Sequence, residues 1–229
     1  MPFNLLLLPL VGGYYFLITC RLTKYIHQRI DRQKLIFNAV LIGILLLGLA
    51  VASTKAVEYG LPIWSEEAKQ YIPLQLPYTG TAILSLLLGF ALPHLLNRFI
   101  NDTKALSRSI KLTGNELEQL VREAFLNASL VSFTMKSGKI YVGWPISLPR
   151  PSSGAYLSVL PLISGYRNDT QDVVFTTEYW DVYQARQQAG EQDVYEGFQL
   201  ILSISEITSA NLFNLRCVRT VYPETVTHK

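Results

Sequence analysis

The sequence predicts a helical membrane protein that carries a separate α+β domain: three transmembrane helices, then a short helix followed by five strands. Two observations lead there. The first hundred residues contain three long apolar runs, Phe3–Cys20, Leu35–Ala52 and Thr79–Leu96, none with an Asp, Glu, Lys or Arg. Each is about as long as a helix needs to cross a hydrocarbon core of roughly 30 Å. Beyond residue 112 the apolar residues recur first with a helical period and then in alternation, as in a soluble module. The 229 residues leave room for one such module, and the mean hydropathy of +0.23 averages two unlike halves. The expected organisation is a transmembrane domain over 1–98, a connector over 99–112, a soluble domain over 113–214 and a tail over 215–229.

The first run lacks a basic n-region, and Arg21 and Lys24 follow it where a small-residue cleavage site would stand. It therefore reads as a retained helix, although Pro9, Gly12 and Gly13 make it the least regular of the three and leave a tilted or re-entrant segment open. Arg21, Lys24, Arg29, Arg32 and Lys34 follow helix one, against a single Asp31, and Arg98, Lys104, Arg108 and Lys111 follow helix three. Positive charge stays on the cytoplasmic side. The expected topology is multi-pass in the cell inner membrane, with the N-terminus outside and the C-terminal domain in the cytoplasm.

The outer loop, 53–78, holds Tyr59, Trp64, Tyr71 and Tyr78, which read either as interfacial anchors or as a sensor surface. The basic loop fits attraction to anionic membrane lipids, with no lipid specificity implied. His27 reads as a solvated residue and His94 as an interfacial one. In the third run, Gly80, Ala82, Gly89 and Ala91 are small enough to let helices approach closely, within one copy or between copies.

In the soluble part, Leu117, Leu120, Val121, Ala124 and Phe125 mark one buried helical face, with Thr113 or Asn115 as its cap. Val131, Phe133 and Met135 alternate, Gly138 turns the chain, and Ile140, Val142 and Trp144 alternate in a second strand. The run PISLPRPSSG reads as a loop. Strands three and four are expected over 155–164, with Leu157, Val159 and Ile163 on one face, and over 172–179. The polar stretch 184–196 reads as an exposed loop or short helix. Phe198, Leu200, Leu202 and Ile204 make a fifth strand.

A short helix followed by five strands resembles the Sm/Lsm fold. The stretch VSFTMKSGKIYVG, residues 131–143, is similar to that family's first motif, with Gly138 at the barrel turn and Gly143 where the next strand bends. FQLILSISEI, residues 198–207, resembles the last strand and the turn after it. The resemblance covers about 113–210 and implies a five-stranded open barrel and edge-to-edge ring assembly. The family's RNA-pocket residues have no counterparts here, so nucleic acid is not an expected partner. Three helices ahead of such a barrel also resemble the small-conductance mechanosensitive channel family, whose third helix lines the pore. Here residues 101–128 intervene before the barrel, and Leu84–Leu88 are bulky where that family has small residues.

No P-loop, GxSxG or HExxH signature occurs, and the two cysteines, Cys20 and Cys217, stand alone as free thiols. No metal, no cofactor and no enzymatic activity are expected. The polar cluster GYRNDT, 165–170, reads as a β-turn. Glu178, Tyr179, Trp180 and Asp181 read either as a contact surface or as a strand end with an aromatic plug. Tyr179, Trp180, Tyr183 and Tyr195 are the candidate partner-binding residues, of which Trp180, Tyr183 and Tyr195 are expected to be exposed. The leading functional expectation is a membrane scaffold or sensor that forms a homo-oligomer and recruits a cytosolic protein, as in the membrane component of a bacterial antiviral defence system. The alternatives are a mechanosensitive-type channel and a membrane-tethered RNA-binding protein.

Overall fold

The computed structural model describes residues 3–60, 78–151, 156–168, 170, 172–190, 194, 195 and 197–214, and the chain divides into two compact units, 1–105 and 106–229. Trp64, Tyr71, Asp169 and Cys217 lie outside the described residues.

The first unit is built from α1 (Phe3–Thr19), α2 (Arg21–His27), α3 (Arg32–Gly60) and α4 (Thr79–Phe99). Among the described residues, α3 and α4 are each long and apolar enough to span a membrane, and a third span is added if α1 and α2 count as one bent element. The chain turns by 88° between them, because Cys20 takes an extended conformation, with ψ of 124°. α1 packs against both α3 and α4. On α3, Ile36, Phe37, Ile44 and Leu45 stay exposed, as expected of a helix whose surroundings are hydrocarbon.

α5 (Asp102–Thr113) starts in the first unit and continues into the second, so most of the expected connector is helical. The second unit continues with α6 (Glu116–Leu126). Asn115 caps it, accepting from the Glu118 amide while the Glu118 carboxylate accepts from the Asn115 amide. This capping box satisfies two of the amides that open a helix. Then follow β1 (Leu130–Met135), β2 (Lys139–Pro145), β3 (Tyr156–Arg167), β4 (Val173–Glu178), α7 (Trp180–Gln188), β5 (Leu200–Ser203), a 3-10 turn (Ile204–Glu206) and β6 (Ile207–Phe213).

The strands form one antiparallel sheet in the order β4-β3-β2-β1-β6, with β5 also on β3. Among the described residues it has six strands, where the sequence suggested five. The missed strand reads ITSANLF and shows no clean alternation; only its pairing with β1 defines it. β2 also extends through Pro145, which pairs with Val159 at the strand end, where a missing amide is tolerated.

Register explains where the core sits. Val131 is opposite Gly143 and Phe133 is opposite Tyr141, so the apolar rows of β1 and β2 fall on opposite faces of the sheet. One face packs Val131, Phe133, Leu157, Val159 and Leu202 under Val121 and Ala124 of α6. The other gathers Leu130, Ile140, Val142 and Leu162 with Trp144, Ile163 and Phe175. β3 serves both faces because Leu162 is an extra residue between the pairs Val142–Ile163 and Gly143–Pro161. Such a bulge reverses the parity of every side chain beyond it. Ile163 therefore leaves the face of Leu157 and Val159, contrary to the simple alternation expected of this strand.

Candidate functional site

The second unit places the candidate partner-binding residues around α7. One edge of β3 pairs with β5 over Tyr156–Val159 and with β4 over Ile163–Arg167. Between those stretches, the Tyr179 amide donates to the Leu162 carbonyl at 2.9 Å, and the Tyr183 hydroxyl donates to the Pro161 carbonyl at 2.6 Å. Tyr183 is thus a plug and is only 2% exposed, which corrects its reading as an exposed contact residue. Sequence alternation could not show this, because the acceptor lies 22 residues upstream.

An aromatic cluster builds outward from this plug. Tyr183 meets Tyr195 and Phe198 edge-to-face, each at 5.3 Å between centroids, and Tyr179 meets Phe198 at 6.4 Å. The Arg186 guanidinium lies 4.8 Å from the Phe198 centroid. Phe198, read from sequence as a strand residue, belongs to this cluster instead. Burial first, and then the neighbouring Tyr179 and Tyr195, pushes the Tyr183 hydroxyl up to about 12. Trp180 (42% exposed), Val182 and Tyr195 (52%) remain on the surface, while Tyr179 is half-buried.

Gly138 and Gly143, expected from the sequence at a barrel turn and a strand bend, have distinct roles. Gly138 has φ of +78°, and its amide donates to the Met135 carbonyl, so it closes the β1–β2 turn in a conformation that favours glycine. A Cβ on Gly143 would overlap the Leu160 carbonyl oxygen and lie 2.7 Å from Val159 Cγ1, so glycine permits the close approach of β2 and β3. In GYRNDT, the Asn168 side chain accepts from the Asp172 amide and the Thr170 hydroxyl, an arrangement that closes a turn.

In the first unit, Ala82 and Gly89 lie in a buried stripe on α4 with Thr79, Ser85 and Pro93, whereas Gly80 is half-buried and Ala91 is exposed. A Cβ on Gly89 would lie 2.5 Å from Gly12 Cα. One on Gly13 would overlap the Ala39 carbonyl oxygen, and one on Gly43 would lie 2.7 Å from the Pro9 carbonyl oxygen. Gly12, Gly13, Gly43 and Gly89 are therefore used within one copy, to bring α1 against α3 and α4.

At the α1–α2 bend lies a polar node that the sequence did not reveal. Arg21 Nη1 donates to the Asn97 and Ile100 carbonyls, at 2.9 and 2.8 Å, covering the C-terminal end of α4. The Asn97 side chain accepts from the Arg21 amide and donates to the Thr19 carbonyl. Asp102 pairs with Arg21 Nε at 3.5 Å and Lys24 Nζ at 3.4 Å, and the Tyr25 hydroxyl sits 2.7 Å from both carboxylate oxygens. Partial burial pushes the Asp102 carboxyl up, but the Tyr25 hydrogen bond and the Lys24 and Arg21 charges outweigh it and hold the group below the usual carboxylate range.

Among the described residues, no three His, Cys, Asp or Glu side chains come together to hold a metal ion. Comparison with known protein families, with characterised proteins and with solved structures finds no match to this chain.

Proposed function

We propose that this chain is a non-enzymatic membrane scaffold or sensor. Its helical unit anchors in the cell inner membrane with the N-terminus outside, copies associate, and the cytoplasmic sheet unit recruits a protein partner. The observation that carries this reading is the α7 surface. Trp180, Val182 and Tyr195 are presented on a base fixed to β3 by Tyr183, and rigid, partly exposed aromatics are the usual anchors of protein interfaces. The antiviral defence context of the sequence reading belongs to the same proposal.

Within it, the sheet is read as an Sm-like open barrel along the path β5-β3-β2-β1-β6. What supports this is that β5 and β6 are joined through the three-residue turn Ile204–Glu206, while β4 and α7 stand as an insertion on the far edge of β3. Self-association is supported by β6, a seven-residue edge strand without charge, Pro or Gly, features that ordinarily protect an edge. The channel alternative is weaker, because two of the four small residues expected to pack a pore helix against its neighbours, Ala82 and Gly89, are buried within one copy, while Gly80 is half-buried and Ala91 exposed. Conductance of a patched bilayer under tension tests it.

The deciding experiment is the native mass of the protein purified from its own membrane in mild detergent, together with whatever accompanies it. The expected result is a homo-oligomer with a stoichiometric cytosolic protein that Trp180→Ala with Tyr195→Ser releases without dissociating the oligomer. A monomer with no companion protein refutes the scaffold reading.

A further inference from the structure

The node at the α1–α2 bend has a property that stability alone does not require. Asp102 is the first residue of α5, yet its carboxylate is held by Arg21, Lys24 and Tyr25, all on α2. The amide end of α5 is served separately, since the Asn101 side chain accepts from the Thr103 amide at 2.9 Å. Asp102 is therefore not needed as the cap of its own helix and is available to bind another one. Arg21 closes the connection on the other side by donating to the last carbonyls of α4. Three helices, α2, α4 and α5, thus meet at one guanidinium–carboxylate pair. α2 lies at 88° to α1, so where α1 stands upright in a bilayer, α2 lies along its surface. Lys24 also stacks 4.5 Å from the Tyr25 ring, which fixes the two α2 donors relative to each other.

We infer that Arg21, Lys24, Tyr25 and Asp102 form a latch that makes the first turn of α5 follow α2, so that a change in the bilayer sensed by α2 is passed to α5. This rests on the membrane reading above and names the regulatory element within it. The groups are suited to the task. The Tyr25 hydroxyl gives the carboxylate a short charge-assisted hydrogen bond and Arg21 and Lys24 add two ion pairs, and such a small set of contacts has a defined open state when it parts.

The test is hydrogen exchange of the full chain reconstituted in short-chain (dimyristoleoyl) and long-chain (dieicosenoyl) phosphatidylcholine vesicles. In the wild type, protection of α2 and of the peptide covering Asp102–Thr113 should change together between the two bilayers. In Asp102→Asn, and more mildly in Tyr25→Phe, α2 should still respond while α5 exchanges about tenfold faster in both vesicles, the scale set by losing hydrogen bonds to a charged group. Tyr25→Phe keeps every charge, so it remains informative if Asp102→Asn folds poorly. The latch is overturned if α5 continues to follow α2 in both variants, or if α5 protection is the same in the two bilayers in the wild type while α2 responds. Failure of the membrane reading has a different signature, in which the chain does not incorporate into vesicles at all and is recovered unbound after flotation.

Discussion

Substituting Gly13 by Ala tests whether the first unit is held together by backbone contact between α1 and α3. The added Cβ would overlap the Ala39 carbonyl oxygen and lie 2.6 Å from the Gly43 nitrogen, whereas ordinary contact begins at 3.4 Å. Both obstacles are backbone, so no side chain can swing aside, and the helices must part by about 1 Å. A gap of that size forfeits a quarter to a half of the dispersion energy at each contact it opens. With the usual cost of overpacking, the expected loss is about 2–3 kcal/mol. The structure also supplies graded controls. A Cβ on Gly89 meets Gly12 at 2.5 Å, one on Gly12 meets Leu86 and Ser85 backbone at 3.2 Å, and one on Gly48 meets nothing within 4 Å. Thermal unfolding of the full chain in one detergent should rank the Ala variants in that order, with Gly13 and Gly89 the most destabilised, Gly12 intermediate and Gly48 unchanged or slightly stabilised. If Gly13→Ala melts with Gly48→Ala, the close packing of α1 is not what stabilises the unit.

Two further expectations concern the second unit. Tyr183→Phe leaves the Pro161 carbonyl without the donor described above and should cost about 1–2 kcal/mol by denaturant or thermal unfolding of the full chain. The same hydroxyl has its ionisation pushed from 10.0 to about 12, so its contribution is complete below pH 10 and is lost as pH rises toward 12. The alkaline decline in stability should be shallower in Tyr183→Phe, and equal slopes would exclude Tyr183 as its source. Asn115→Ala removes the capping box of α6 and should cost about 1 kcal/mol, read as a lower melting temperature and faster exchange of the first α6 amides. A third expectation concerns acid. The Asp102 carboxyl is held low by its partners, so its contribution is present above the ordinary carboxylate range and is lost as pH falls through the lowered value. Asp102→Asn should flatten the acid limb of a stability profile, and an unchanged limb would contradict the pairing.

Much of the architecture was legible because it rests on short-range patterns. Uncharged apolar runs announced the long helices, a helical stripe announced α6, and a glycine between two alternating runs announced the β1–β2 hairpin. These signals arise from neighbours within a few residues and depend on nothing distant. The right-angle break at Cys20 was hidden, since an apolar run continues up to it and the groups that hold the bend, Asn97 and Asp102, lie more than 70 residues away. β6 was hidden because its pairing with β1, rather than its own composition, makes it a strand.

The candidate site divides in the same way. Local pattern was enough to place a helical, apolar half ahead of a mixed sheet half and to show that aromatic residues crowd the region after β4. Which of those aromatics are surface and which are core depends on distant contacts: Tyr183 turns inward because a carbonyl of β3 needs a donor there, and Trp180, one helical turn earlier, stays outside. Likewise, small residues on α4 promised a close helix contact, and the fold brings Gly89 of α4 against Gly12 of α1, because backbones approach most closely where a Cβ is absent.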